Sequence, residues 1–140
     1  MIERILFISI FKEGNGGGEG RVAFEMARWF SRSYQVVMLC PGEKTGLTVD
    51  PTGFKQFNIQ STGEQNLSVP LLSAANLQKI FSFLDSFQPQ IIHVHDPALL
   101  GIIGQLWAKI HKVPIFYTAH LLPSRVLDFG TNEVMHNYAI

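Results

Sequence analysis

The sequence is poor in cysteine, in net charge and in long hydrophobic runs. Its 140 residues include one cysteine, Cys40, so no internal disulfide can form. Eleven basic residues balance eleven acidic ones, which argues against the broad cationic surface of proteins that bind nucleic acid. The first apolar run ends at Lys12 and Glu13, too early for a signal peptide or a membrane span. We therefore expect a cytoplasmic protein with one core and no nucleic acid partner.

Two familiar phosphate-binding motifs are also missing. A dinucleotide fingerprint starting at Gly14 needs glycine at its sixth place, where Glu19 stands. The Cys40-Pro41-Gly42 segment also offers no acidic residue for a ribose. The phosphate loop of nucleotide hydrolases needs lysine and then Ser or Thr after its last glycine, but Arg21 and Val22 follow Gly20. Neither NAD binding nor ATP hydrolysis is expected, and no cofactor is predicted.

A glycine-rich segment does follow the first apolar run. Residues 5–11 predict a strand buried on both faces, and a helical pattern begins at Arg21. Five glycines lie between them, at positions 14, 16, 17, 18 and 20. They allow backbone amides to approach a ligand, and the positive end of the helix favours an anionic or strongly polar one. A flexible surface turn is the alternative interpretation.

Strands and amphipathic helices alternate along the rest of the chain. Four more strands are predicted, at residues 35–40, 54–59, 91–95 and 115–119, while residues 43–70 are otherwise loop-rich. Helices are predicted from Arg21, from an N-cap at Ser73, and over residues 99–110. The alternation predicts the α/β class: a Rossmann-like doubly wound parallel sheet between two layers of helices, with strand order 3-2-1-4-5.

Each predicted helix carries an apolar stripe that we expect to face the sheet. The stripes are Val22, Met26, Trp29 and Phe30 in the first helix, Leu77, Ile80, Phe81, Leu84 and Phe87 in the second, and Ile103, Leu106, Trp107 and Ile110 in the third. Packing against a sheet requires this spacing, so we interpret the stripes as core and not as binding surfaces.

Polar side chains follow two strands at the sheet edge where such folds bind ligands. Parallel strands end at the same edge, so the glycine segment, His95 with Asp96, and His120 should converge on one crevice. His95 and Asp96 are suited to hydrogen-bond sugar hydroxyls, although Asp96 also fits the N-cap of a helix starting at Pro97. His120 has no capping role, and a structural edge histidine is its alternative interpretation.

A metal site is not expected at this edge. His93 and His95 lie two apart on a strand and so share a face, but a metal ion needs further ligands. Only Asp96 and His120 are at hand in the sequence.

Four segments, taken in order, resemble a known family. They are residues 4–21 with Gly-Gly-Gly-Glu-Gly-Arg; residues 89–97, which read Pro-Gln-Ile-Ile-His-Val-His-Asp-Pro; Val113-Pro114-Ile115; and Tyr117-Thr118-Ala119-His120. The chain resembles the N-terminal domain of family 4 glycosyltransferases, which are retaining, nucleotide-sugar-dependent enzymes with two facing Rossmann-like domains (the GT-B fold). Gln90 replaces the family's usual acidic residue, at a position outside the cleft.

The resemblance implies roles for individual residues. The segment with Gly16, Gly17, Gly18 and Arg21 would approach the phosphates and the transferred sugar of the donor. His120 would be catalytic, close to the reacting centre, and His95 and Asp96 would lie on the acceptor side. Retention in this fold is thought to need no metal, since positive groups and amide dipoles stabilise the departing diphosphate.

The resemblance also implies substrates and a domain arrangement. The partners would be a nucleotide-sugar donor and a glycan, lipid or small-molecule acceptor. Residues 1–140 would form one acceptor-side domain, a fragment that lacks the C-terminal donor-binding domain and is inactive alone. Peripheral membrane contact and self-association through the exposed cleft face stay open. A non-enzymatic Rossmann-like module that binds a small ligand or a protein is the rival interpretation.

Overall fold

Strands and helices alternate along the chain, as the sequence predicts. The structure is a computed structural model and describes residues 1–15, 17–64, 67–95 and 98–118, without the side chains of Glu19, Glu64 and Leu67. The elements are β1 (Arg4–Ser9), α1 (Gly17–Phe30), β2 (Gln35–Gly42), β3 (Gly46–Val49), β4 (Lys55–Glu64), β5 (Leu67–Pro70), α2 (Ala74–Phe87), β6 (Ile91–His95), α3 (Leu99–His111) and β7 (Ile115–Thr118). Within the described ranges, no helix has the length and apolar character needed to span a membrane.

Seven strands form one sheet, and β1 lies at its centre. The order is β3-β4-β2-β1-β6-β7, with β5 paired to β4. Strands β4, β2, β1, β6 and β7 are mutually parallel, whereas β3 and β5 run antiparallel to β4. The five parallel strands correspond to the five predicted ones, so the predicted order 3-2-1-4-5 is confirmed. The winding reverses between β1 and β6, since the chain leaves β1 for β2 on one side and later enters β6 on the other.

The apolar run of β1 contributes to two separate cores because its alternate side chains face opposite sides of the sheet. Leu6 and Ile8 are fully buried in a core under α2 and α3. Phe7 is buried in a second core under α1. A strand with a helix layer on both faces has no solvated side, and this explains why its sequence is a continuous apolar run.

The loop-rich prediction for residues 43–70 is wrong. This region contains β3, the ten-residue β4 and β5. The hydrophobic pattern is weak because β3 is an edge strand whose Leu47 and Val49 are more than half exposed. Hydrogen bonding fixes the hairpin instead: the Gln60 N–H donates to the Thr45 hydroxyl across 3.0 Å. Polar edge strands do not require an apolar stripe, so periodicity alone misses them.

The helices exist where predicted, but in two of them half of the predicted stripe is exposed. Val22 and Trp29 of α1 are 41% and 61% exposed, and Leu106 and Ile110 of α3 are 52% and 73% exposed. The rest of each stripe is confirmed, since Met26 and Phe30 pack at the edge of a core and Ile103 and Trp107 are buried. The buried faces also include residues outside the predicted stripes, namely Ala23, Phe24 and Ala27 in α1 and Leu100, Gly101, Gly104 and Ala108 in α3. In α2, Ile80 and Leu84 are buried as expected, and Leu77, Phe81 and Phe87 pack at the edge of the same core.

Helix α3 approaches the sheet closely at Gly104. A Cβ atom there would collide with Cδ1 of Ile8 on β1, so a larger residue would require the Ile8 side chain to move. Helix α1 also begins at Gly17, four residues earlier than predicted. The predicted N-cap of α2 is confirmed, because the Ser73 hydroxyl accepts from the Asn76 N–H across 3.1 Å.

Alanine substitution should distinguish the two faces of α3. We expect Ile103→Ala to lower the free energy of unfolding by about 2–5 kcal/mol, because it leaves a cavity in the core. We expect Leu106→Ala to change it by about 0.5 kcal/mol or less, because Leu106 already faces water. Urea unfolding of both variants is the measurement. Equal losses would contradict the observed helix orientation.

Candidate functional site

The carboxyl ends of β1, β6 and β7 meet at one edge of the sheet. Ser9 at the end of β1 pairs with His95 at the end of β6, and His95 pairs in turn with Thr118 at the end of β7. Ser9 and His95 are both buried. The chain that leads from β1 into the glycine-rich segment therefore leaves the sheet beside His95, at the point where the winding reverses.

A tight turn leads from β1 towards the glycines. The Phe11 N–H donates to the Ser9 hydroxyl across 3.0 Å, and the Asn15 N–H donates to the Lys12 carbonyl across 3.0 Å. Gly14, the third residue of that second turn, has φ +87°. A type II turn requires a positive φ at this place, which glycine adopts without strain.

Gly17 and Gly18 lie in the first turn of α1, not in a loop before it. The first amides of a helix have no acceptor within the helix, and the helix dipole adds positive potential there. A Cβ atom built on either glycine would meet no heavy atom of the described residues within 4 Å, apart from its chain neighbours and the backbone of its own helix. There is therefore room beside these two glycines for a polar or anionic ligand.

Arg21 forms a local contact on the helix surface. Its Nε lies 2.8 Å from Oε1 of Glu25, one turn further along α1, and both side chains are well exposed. The hydrogen bond to Glu25 and the charge of that carboxylate raise the pKa of Arg21. In this arrangement Arg21 neutralises Glu25 through Nε, while no hydrogen bond to another described residue holds its two Nη groups.

Gly20 is needed where the turn passes over α1. A Cβ atom at this position would collide with the carbonyl oxygen of Asn15 and would come within 3.4 Å of the Phe11 Cβ. Backbone atoms cannot yield as a side-chain end can. Gly20 therefore fixes the distance between the turn and the helix, a role that the sequence analysis did not assign.

Arg28 and its polar partners hold the turn between β1 and α1, and the sequence analysis did not identify this network. Arg28 of α1 donates from Nε and Nη2 to the two carboxylate oxygens of Glu13, each at 2.8 Å. It also donates to Oδ2 of Asp50, at 2.8 Å, and its guanidinium lies 4.4 Å from the ring centre of Phe54. Hydrogen bonds from Thr52 and then from Arg28 hold the pKa of Asp50 far below its usual range. The one feature of the sequence that could have indicated this network is an acidic residue, Glu13, directly before the glycines.

His95 lies in a stack of three aromatic rings. Its ring centre is 4.5 Å from that of His93, with the planes 13° apart, and Phe7 stacks on His93 at 5.2 Å. Nε2 of His93 is 2.7 Å from the Thr118 hydroxyl. Burial lowers the pKa of His93, so this imidazole is neutral at pH 7. His93 thereby links β6 to the end of β7, a function that the pattern of alternate histidines did not reveal.

Two other chemistries find no support at this edge. Cys40 is buried in β2, and burial raises the pKa of its thiol to about 12, so it is the inert core cysteine that the sequence predicts. Across residues 1–15, 17–64, 67–95 and 98–118, no three His, Cys, Asp or Glu side chains are grouped closely enough to hold a metal ion.

Three predicted site residues cannot be placed. Gly16, Asp96 and His120 lie outside the described residues. Their predicted roles therefore rest on the sequence, while Gly17, Gly18, Arg21 and His95 have the positions given above.

Two glycines separated by one residue should respond oppositely to alanine. We expect Gly20→Ala to lower the free energy of unfolding by about 1–3 kcal/mol, because the new methyl group displaces the Asn15 carbonyl. Its control, Gly18→Ala, should raise it by about 0.5 kcal/mol, because alanine is the better helix former and the space is open. Chemical denaturation measures both. A stabilising Gly20→Ala would contradict the close contact.

Acidification should weaken the fold through His93. Its pKa is about 6.5 in the unfolded chain and lower in the folded one, so the unfolded state binds more protons as the pH falls. The stability is therefore complete above about pH 6.5 and is lost as the pH falls through the folded pKa of His93. The titratable ring packed against His93 is His95.

The measurement is the unfolding free energy between about pH 8 and pH 5. His93→Phe keeps a ring in the stack but cannot titrate, so its stability should fall less steeply towards acid. His111→Phe removes a stacked histidine at the end of α3, remote from the site, and serves as the control. A variant at position 93 whose profile parallels that of the unsubstituted chain would contradict the assignment.

Comparison with known proteins identifies the family of the chain. The family described as Glycosyltransferase Family 4 matches residues 16–138. A comparison with curated proteins gives no significant match. The matched range begins within the glycine-rich segment and contains the strands that carry His93, His95 and Thr118. Because the match covers most of the chain, the protein belongs to glycosyltransferase family 4.

Proposed function

We propose that this chain is the acceptor-side domain of a retaining glycosyltransferase that transfers a sugar from a nucleotide-sugar donor. Membership of the family implies a sugar donor and an acceptor in general terms. The single observation that best supports the finer proposal is the pairing of Ser9 with His95. It brings a buried imidazole next to the end of β1, from which the chain continues into the glycine-rich segment.

The donor phosphates are proposed to approach the first turn of α1. The amides of Gly17 and Gly18 are at the positive end of the helix, and open space lies beside both residues. Such amide dipoles stabilise the charge that develops on a departing diphosphate. The turn that precedes them is held by Arg28 and Gly20, so their position is fixed before a ligand arrives.

The acceptor is proposed to bind near His95, with Asp96 and His120 completing that side. A neutral imidazole both donates and accepts hydrogen bonds, which suits a sugar hydroxyl. The ring of His95 is held between β1 and β7 by strand pairing and by the stack with His93. A fixed ring loses little freedom on binding.

The proposal requires a second domain. In a GT-B enzyme, the donor nucleotide is held mainly by the domain that faces this one, and a cleft formed by two domains excludes water from the reaction. We therefore propose that residues 1–140 form one half of the cleft and do not turn over a nucleotide sugar alone. Most of the donor's binding energy would come from the other half.

His120 is the residue whose substitution best tests this function. In the two-domain enzyme that the proposal requires, we expect His120→Ala to lower kcat by on the order of a hundredfold, or about 3 kcal/mol. Nucleotide binding should change much less, because the histidine would stabilise charge that develops only as the sugar leaves. Release of nucleoside diphosphate, measured over a panel of nucleotide sugars, gives the rate.

Two further measurements make the test decisive. Thermal unfolding of the same His120→Ala preparation gives the folded fraction, so a loss of stability is separated from a loss of catalysis. Arg21→Ala with Glu25→Ala removes an exposed ion pair on α1 and shows whether that pair matters for donor binding. Normal turnover per folded His120→Ala molecule would contradict the catalytic role proposed for His120. The absence of transfer from every donor would favour a binding module instead.

A further inference from the structure

A small apolar cavity lies at the same edge of the sheet as the candidate site. Its volume is about 160 Å³. Its walls come from the residue after β1, from β2, from β5 and from the start of α3, and the main lining residues are Ile10, Pro41, Val69, Pro70, Leu99 and Leu100. Elements on both sides of β1 thus contribute to one concavity. Nothing in the sequence pattern predicted it, because the contributing residues are far apart in the chain.

The chemistry of the walls selects an apolar occupant. Among the described residues that line the cavity, only Ser68 carries a polar side chain. A free sugar or a nucleotide would bury hydroxyl groups there without new hydrogen bonds, which costs free energy. An aromatic ring or a short alkyl chain loses no hydrogen bond on entering. An aliphatic cavity of about 150 Å³ is large enough to hold benzene.

The cavity has a rigid base and an accessible rim. Leu100 is almost fully buried in the core under α3, so that wall is held by the packing of the whole domain. Val69 and Leu99 are 48% and 44% exposed. These two side chains retain apolar surface that an occupant would cover, and covering such surface is favourable.

The position of the cavity connects it with the proposed acceptor. Ile10 directly follows Ser9, the residue that pairs with His95. Ala98, also in the wall, is three residues beyond His95 along the chain. A molecule whose sugar or other polar part lies near His95 has an apolar surface within the same edge for the rest of its structure.

We propose that the acceptor of this enzyme carries a phenyl-sized aromatic or short alkyl group, and that this cavity binds it. The term acceptor rests on the proposed function, whereas the apolar site does not depend on it. The cavity would add affinity for the acceptor and discriminate against acceptors that are sugars throughout. The proposal narrows the acceptor class from any glycan, lipid or small molecule to one with a compact apolar group.

Methyl NMR of the 140-residue chain tests the proposal directly. The probes are phenyl β-D-glucoside and methyl β-D-glucoside, which differ only in the apolar group. We expect the phenyl compound to shift the methyl signals of Ile10, Val69 and Leu99. It should bind at least about tenfold more tightly than the methyl compound, a difference of about 1.4 kcal/mol.

Variants on α3 supply a matched control. Leu99→Asp places a charge at the rim of the cavity, and we expect it to abolish the preference for the phenyl compound. The aspartate should not prevent folding, because an acidic residue is favourable in the first turn of a helix. Ile102→Asp changes a residue of the same helix that is 51% exposed but does not line the cavity, and it should keep the preference. Ser68→Phe places a phenyl ring at the cavity wall. We expect this variant to lose the preference for the phenyl compound, as Leu99→Asp does.

Several results would overturn the proposal. Equal affinity for the two glucosides, unshifted methyl signals at the cavity, or equal losses in Leu99→Asp and Ile102→Asp would each do so. If another part of this chain already fills the cavity, the methyl signals will not respond, which is also a negative result. The titration uses no nucleotide sugar. A failure of sugar transfer would therefore contradict the proposed function alone, and a failure of selectivity would contradict the cavity proposal alone.

Discussion

The pairing of β1 with both β2 and β6 is the constraint on which the rest of the structure depends. This strand contributes Leu6 and Ile8 to one core and Phe7 to the other, so both helix layers are anchored on it. The winding reverses between β1 and β6, and both strands end at the same edge of the sheet. Ligands bind at this kind of edge in doubly wound folds. The pairing of β1 with β2 and β6 therefore determines both the arrangement of the sheet and the position of the candidate site.

Two polar contacts fix the details of that edge. Arg28 joins the turn after β1 to α1 and to the segment between β3 and β4, and His93 joins β6 to the end of β7. Partly exposed ion pairs contribute little to stability. The Arg28 network mainly restricts geometry. Its bidentate contact with Glu13 limits the positions that the turn can adopt. The neutral, half-buried His93 likewise holds the end of β7 in place through its contact with the Thr118 hydroxyl.

Helices α1 and α3 leave large apolar residues on the surface. They are Trp29 on α1 and Leu99, Ile102, Leu106 and Ile110 on α3. The spacing of the α3 residues places them along one side of the helix. Contiguous apolar surface of this kind favours association. Self-association of the domain stays a prediction.

The sequence by itself determined the class of fold, the five parallel strands, their order and the edge where polar residues meet. These follow from local signals: apolar runs, helical spacing and the residues that begin and end each element. The family was also visible from its motifs in order. The roles assigned to Gly16, Asp96 and His120 remain predictions from those motifs.

Only the tertiary structure decided which residues of each apolar stripe are buried, that β3 and β5 flank the predicted strand β4, and which residues hold the site together. Trp29 and Leu106 fit an apolar stripe, yet both are exposed, while Ala23, Ala27 and Gly104 lie against the sheet. The strands β3 and β5 are specified by hydrogen bonds with β4, not by a hydrophobic period. Arg28 and Asp50, or His93 and Thr118, are distant in sequence, and their contacts exist only after the sheet has formed. Local patterns encode elements, whereas distances between elements depend on how all the side chains pack at once.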